Sequence, residues 1–377
     1  MIAWFRYICL IVSLIITMPE LLSAQRLVSQ RQEDVEAGLL YNESVYILSN
    51  YSCLSSNSPE KLSLDELLRK QIEGFYFYLK RDTETNVLLL RKPDGTFTPF
   101  SESLEAIKTA LDADSTKVMT LFLDFYVETE LESSFKEIGL MEYVLEYDTK
   151  NGWPSLKDML SSGKRLVVFE VQKHLNSPSW LHNMRDFVEH TDADWGNQPE
   201  GVESFDERLK KNLSLFTGYK FLETSRGNSN DISALARQTP YLIESFKRAW
   251  IRDGRVPNFI LVDKYYAWLD VSLVTFRNFD IIYGAVTNNN ELLNYVNWDG
   301  MSNYTTGKYC FPLEPGAELM LSPISPGYRI EPATVYVSGT QRKAFAGRFK
   351  ARPLRIDEDI EIYLPFEGDE KKWFVQS

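Results

Sequence analysis

Short apolar runs alternate with helix-spaced segments over most of the chain. Residues 45–48 (Val-Tyr-Ile-Leu) predict a short buried strand. A polar stretch, 49–58, follows, with Pro59 as a breaker. Residues 63–71 carry Leu64, Leu67 and Leu68 at helical spacing, and Ser63 with Glu66 has the spacing of a capping box. Residues 72–80 are aromatic and strand-like, and 87–90 predict another strand, closed by Pro93-Asp94-Gly95. Then come a helix over 104–111, a strongly apolar strand over 118–127, a loop and short helix over 153–160 ending at Gly163, and a strand over 165–171. Residues 172–230 are long and polar and predict no clear element. Residues 232–250 predict a helix, 258–263 and 281–286 strands, 288–290 a loop and 291–296 a helical turn.

Strands alternating with helices at this spacing argue for βα units and a mainly parallel sheet. Several strands are continuous apolar runs, as a sheet covered on both faces requires. The expected fold class is α/β, a TIM-barrel-like (β/α) barrel over 40–297, the natural closed form at about 250 residues. From 305 the texture changes. Four prolines (312, 315, 323, 326) precede the strand-like run 333–338, and Ile356, Ile360, Ile362 and Leu364 alternate with polar residues. Residues 305–377 therefore predict a small β-rich C-terminal unit.

The N-terminal 24 residues have the layout of a secretory signal peptide. Arg6 is the basic residue, 7–18 is an uncharged apolar run shorter than the roughly 20 residues of a membrane span, and Leu22-Ser23-Ala24 is the cleavage site. The other reading is an uncleaved anchor. No later segment is apolar and long enough to span a bilayer, so the expected location is secreted, periplasmic or cell-surface.

Composition narrows the class. With 44% hydrophobic and 25% charged residues the chain is globular, and its net charge of −12 argues against non-specific binding to nucleic acid. Cleavage of the leader would leave Cys53 and Cys310, which in an oxidising compartment form one disulfide or else remain two buried thiols. Asn42, Asn50, Asn212 and Asn303 head glycosylation sequons, relevant in a eukaryotic source.

Three stretches resemble the X-type catalytic domain of secreted phosphatidylinositol-specific phospholipases C. They are 118–127 (VMTLFLDFYV), 153–160 running into 163–169 (WPSLKDML, GKRLVVF) and 255–263 (RVPNFILVD). The second is the most specific, and the order and spacing of all three fit over roughly 40–297. The resemblance implies a phosphoric diester hydrolase fold with its site at the barrel mouth. One histidine would serve as general base on the inositol 2-hydroxyl and a second as general acid on the leaving oxygen. Arginine or calcium would stabilise the phosphate.

The residues at those positions differ. Asn50 stands at the first histidine position, within Ser49-Asn50-Tyr51-Ser52, and Arg91 at the second. Tyr76 replaces the family's arginine and Arg81 an acidic ligand. Asparagine exchanges no proton near neutral pH, and arginine keeps its proton. The two-histidine mechanism is therefore absent. Asp124 and Asp263 match acidic positions of the family. Arg81 and Arg91 either form a cationic pocket for a phosphorylated ligand or lie solvated on the surface, and Asp124 is either a site residue or a loop hydrogen-bonder.

The histidines, His174, His182 and His190, are eight apart among Asp186, Glu189, Asp192 and Asp194, so the readings are a metal site or surface residues. Tyr265-Tyr266-Ala267-Trp268 either line the mouth, stacking on a sugar or inositol ring or meeting a lipid, or pack the rim. The chain contains no GxSxG, P-loop or GxGxxG motif.

Three functions follow. One is an inactive phospholipase C-like protein binding a phosphoinositide, another phosphodiester or a sugar-like ligand. The second is a rewired phosphodiesterase using calcium with Asp124, or a recruited His174 or His182. The third is a cell-surface interaction protein working through its C-terminal unit.

Overall fold

The computed structural model describes residues 31–53, 63–125 without 71, 131–192 without 173, 175 and 176, 215–219, 256–262, 277–298, 307–355 without 340 and 341, 361–363 and 374–376, with 247, 250, 251 and 254. The leader, Asp263 and the aromatic run 265–268 lie outside them. So do Asn212, Asn303 and most of the helix expected over 232–250. Among the described residues no helix is long and apolar enough to cross a membrane. The chain divides into two units, Met1–Ala249 with Val256–Asn278, and Trp250–Arg255 with Phe279–Ser377.

The first unit is a TIM-barrel-like sheet. Its parallel strands are β1 (Tyr46–Ser49), β2 (Gly74–Arg81), β5 (Met119–Asp124), β6 (Leu166–Glu170), β7 (Leu181–Asn183), β8 (Val188–Asp192), β9 (Leu215–Tyr219) and β10 (Phe259–Val262). Neighbours are consecutive, and β10 pairs back onto β1, Tyr46 opposite Phe259. The ring is open between β7 and β8, where no ladder is formed among the described residues. Between β2 and β5 a hairpin of β3 (Leu88–Arg91) and β4 (Phe97–Pro99) extends β2 as an arm.

Local chemistry sets the helices between these strands. Ser63 Oγ accepts from the Glu66 backbone while the Glu66 carboxylate accepts from Ser63 N, the expected capping box on helix Leu64–Arg69. Helix Phe100–Ala113 starts four residues earlier than its pattern suggests. Helix Leu156–Ser162 begins on the Ser155 hydroxyl and ends at Gly163, whose φ of 73° is the left-handed C-terminal stop.

Ring contacts tell inside from outside. Phe122 on β5 meets Phe259 on β10 at 5.2 Å, although β2 and β1 separate those strands along the sheet, so the contact crosses the interior. Tyr41 closes the same cluster, touching Tyr46 and Trp153 and sharing a 2.7 Å hydrogen bond with Thr120 Oγ1. On β2, Phe75, Phe77 and Leu79 face outward, with Phe77 against Phe100 of the helix layer. Gly74, Tyr76 and Tyr78 therefore face in. Gly74 has no alternative: a Cβ there would lie 2.1 Å from Thr120 O and 2.4 Å from Leu48 Cδ2.

A buried ionic group seals the N-terminal end. Glu73 accepts from Arg31 and pairs with Arg277 at 3.2 Å through one oxygen, and accepts from Ile47 N at 3.2 Å through the other. Arg31 also lies 3.6 Å from Asp34 and over the Tyr46 ring. All four charged residues are buried.

The second unit is built on β11 (Asp280–Asn288), which pairs antiparallel with β12 (Glu291–Leu292) and β14 (Lys308–Leu313) and parallel with β19 (Lys343–Pro353). β17 (Tyr328–Glu331) flanks β19, and β13 (Asn297–Trp298) pairs with β16 (Pro323–Ile324). β15 (Glu318–Leu321) pairs with β18 (Val335–Ser338). Trp298, Tyr309, Phe311 and Phe349 centre its core.

Two expectations change here. β11, assigned by its apolar run to the barrel, pairs with β12, β14 and β19 of the second unit, so the boundary expected at 297–305 falls at Phe279. Residues 291–296 are not helical: Asn289 and Asn290 take φ of 51° and 71°, folding the chain into a tight hairpin that makes 291–292 a strand. Of the two readings of the cysteines, Cys310 is the buried thiol, its sulfur accepting from the Trp250 indole at 3.0 Å, and the side chain of Cys53 lies outside the described residues. Asn50 is also buried, which closes its sequon to a glycan in the folded protein.

Candidate functional site

A (β/α) barrel presents its working side chains at the C-terminal ends of its strands. At that end Asn50 follows β1. The β1–β2 register (Leu48 beside Gly74, Ser49 beside Phe75) continues to place Asn50 beside Tyr76. One strand further, Tyr78 is in register with Asp124. The Tyr76 hydroxyl donates to Asp124 Oδ2 at 2.7 Å, and Gln172 Nε2 reaches Asp124 Oδ1 at 3.5 Å. The fold thus gathers Asn50, Tyr76, Tyr78, Asp124 and Gln172 from four segments onto one inner rim. The Asp124 carboxylate is thus held by side chains from two neighbouring segments.

Ser52 ties the arm to this rim. Tyr78 N donates to Ser52 Oγ at 2.7 Å, and that hydroxyl donates to Arg91 O at 3.0 Å. The β2–β3 register (Leu79 with Leu90, Lys80 with Leu89) puts Arg91 opposite Tyr78, on the face of the mouth, with its side chain exposed. Arg81 is opposite Leu88 and has the parity of Leu79, so it lies on the other face. The expected pocket of Arg81 with Arg91 is therefore not formed, because strand side chains alternate and the two residues fall out of phase. The second cation on the mouth face is Lys80, whose Nζ lies 3.8 Å from the Phe97 ring, and Phe97 is paired with Arg91. Lys80 was legible in the alternation Tyr76, Tyr78, Lys80, a signal that motif matching passes over.

The histidines are placed elsewhere. His182 is level with Phe169 on the inner face and boxed by Tyr147, Trp153, Phe169 and Phe187, with Nε2 at 3.2 Å from Leu145 O. Burial lowers its pKa, which keeps the ring neutral. It is a wall residue of the core. His174 stacks on Phe125 at 4.4 Å, and its Nδ1 is 3.0 Å from Glu170 Oε2. Glu170 is in register with Leu123 and Asn183, outside the barrel, and also accepts from Ser177 and Asn183. This network fastens the loop after β6 to the strand and does not reach the inner rim. The side chain of His190 lies outside the described residues.

Calcium takes six to eight oxygen ligands. Among the described residues no three His, Cys, Asp or Glu side chains are grouped to hold a metal. Asp124 with the Tyr76 phenol and the Gln172 amide supplies fewer oxygens than that.

Residues 90–199 match the family model described as PI-PLC X 1. The chain carries a divergent PI-PLC X region. That region begins one residue before Arg91 and spans β5, β6, β7 and β8, the stretch holding Asp124 and the GKRLVVF strand. Among solved structures, the chain is similar to a variant of the phosphatidylinositol-specific phospholipase C of Staphylococcus aureus, at 15% identity and a TM-score of 0.40, over 65% of this chain and 97% of that one. It is also similar to the phosphatidylinositol-specific phospholipase C of Listeria monocytogenes, at 14% identity and a TM-score of 0.42, over 66% and 98%. No curated protein matches it by sequence.

Proposed function

We propose that this protein is a secreted, non-hydrolytic member of the phospholipase C-like group that binds a phosphorylated polyol, such as the headgroup of a phosphoinositide, at its barrel mouth. One observation carries the reading: the rim that should hold two imidazoles holds Asn50 and Arg91, with the Asp124 carboxylate already engaged by Tyr76. In-line cleavage of a phosphodiester needs a base and an acid that exchange protons near neutral pH. An amide and a guanidinium do neither. Binding is another matter: Arg91, exposed on the mouth face with Lys80, offers positive charge to a phosphate.

The test pairs turnover with binding. Purified full-length chain is given phosphatidylinositol and a chromogenic phosphodiester, with calcium and with chelator, and inositol 1-phosphate is titrated by calorimetry. The expected result is no turnover above a heat-killed control, and binding that weakens about tenfold in Arg91→Ala and in Lys80→Ala. Turnover lost in Asp124→Asn overturns the reading in favour of a rewired hydrolase. Absence of inositol phosphate binding by folded protein removes the ligand class.

A further inference from the structure

We propose a second ligand site, a groove for a neutral saccharide on the C-terminal β unit, independent of the barrel mouth. The groove has a volume of about 570 Å3 and is lined by Asn288, Glu291, Asn294, Tyr295, Ser325 and Tyr328 among others. That volume lies within the roughly 300–1,000 Å3 of small-ligand sites.

Three walls hold it, each fixed by backbone chemistry. The first is the β11–β12 hairpin, where Asn288 pairs with Glu291 across a turn whose central residues, Asn289 and Asn290, both have positive φ. The second is the segment after β12, anchored where Leu293 N donates to Val286 O at 3.1 Å and Gly307 N donates to Leu293 O. The third is the turn Ser325-Pro326-Gly327-Tyr328, closed by Tyr328 N donating to Ser325 O at 3.1 Å, with Gly327 at φ 80°. Ser325 Oγ donates to Tyr295 O at 2.7 Å and locks the third wall to the second. A groove formed in advance loses little freedom when it binds.

The lining selects the ligand. Tyr295 is 56% exposed, and among the described residues neither its ring nor that of Tyr328 stacks on another aromatic. The side chains of Asn288, Asn294 and Glu291 make no hydrogen bond to another described residue, so two amides and a carboxylate are presented to the groove. Among the described residues no Lys, Arg or His lines it, and Glu291 is acidic, which disfavours phosphates, sulfates and carboxylates. An acyl chain would strip water from those amides without replacing their hydrogen bonds. Leu292, Leu293 and Pro326 complete the lining, and a neutral sugar, with an apolar ring face and hydroxyls, suits this mixed surface. The apolar face of its ring lies flat on a tyrosine, and its hydroxyls donate to the carboxylate and exchange hydrogen bonds with the amides.

The experiment uses the purified full-length chain and a panel of neutral disaccharides (cellobiose, maltose, lactose, mannobiose, N,N′-diacetylchitobiose), with glucose 6-phosphate and sulfated lactose as charged comparators, read by saturation-transfer NMR and then by calorimetry. At least one disaccharide is expected to bind, with affinity lowered about tenfold in Tyr295→Ala and lowered in Glu291→Gln. Arg91→Ala, at the barrel mouth, should leave it unchanged. Tyr295 is exposed, so Tyr295→Ala should keep the wild-type melting temperature. Failure of the whole panel with folded protein overturns the site, as does binding that survives Tyr295→Ala, or binding that appears only with a sulfated or phosphorylated sugar.

Discussion

The two ends of the barrel use polar residues in opposite ways. At the N-terminal end Arg31, Asp34, Glu73 and Arg277 are buried, and Glu73 spends both carboxylate oxygens on protein donors. At the C-terminal end Asn50 and Asp124 are buried, Asp124 against one phenol and one amide, while Tyr76, Tyr78 and Gln172 are only half-buried and Lys80 and Arg91 are exposed. Charge withdrawn from water must be paired inside the molecule, whereas charge left at a rim stays available to a ligand. The lesson is that polar residues in such a fold cannot be read as functional by type. The end of the strand on which they fall decides.

The sharpest way to break this contrast is Glu73→Ala. It removes the carboxylate that two buried guanidiniums share and should cost about 3–5 kcal/mol of stability, measured by urea unfolding. A loss below about 1 kcal/mol would mean that the seal contributes little beyond geometry. Next in size, Tyr76→Phe removes the one phenol on Asp124. It should cost about 1 kcal/mol of stability or less and act mainly on binding of inositol phosphate at the mouth. If Tyr76→Phe destabilises as strongly as Glu73→Ala, the two ends do not differ in kind. The smallest effect concerns the wall between them. His182 has a lowered pKa in the folded chain, so between that value and about 6.5 the unfolded chain binds the extra proton. Stability from this source is complete above about pH 6.5 and declines as the pH falls below it. His182→Leu should flatten the decline between about pH 7 and 5 in thermal melts. An unchanged slope would assign the acid sensitivity to other groups.

Much of the first half of the barrel was readable from local pattern. The capping box at Ser63 and Glu66, the stop at Gly163 and the apolar runs of β5 and β6 are signals contained within a few residues. The stretch 172–230 was not readable. β7 is only Leu181-His182-Asn183, and β8 runs Val188-Glu189-His190-Thr191-Asp192. Neither shows an apolar run. Each is a strand because a neighbour supplies its hydrogen bonds, as Val168, Phe169 and Glu170 do for β7. β11 shows the converse, since its apolar run was plain while its partners, β14 and β19, lie up to some sixty residues away along the chain.

By itself the sequence determined the α/β pattern, the β-rich C-terminal stretch, the absence of histidine at Asn50 and Arg91, and the acid at Asp124, all properties of residue type and local period. Tertiary structure alone decided that Tyr76 holds Asp124, that Arg91 falls on the mouth face while Arg81 is turned away, and that His182 is a core residue. It also decided that Cys310 is a thiol beside Trp250. The physical reason is register. A residue's type is written at its own position, but which face it occupies and what it meets depend on how distant strands align, and a shift of one residue would reverse every such assignment.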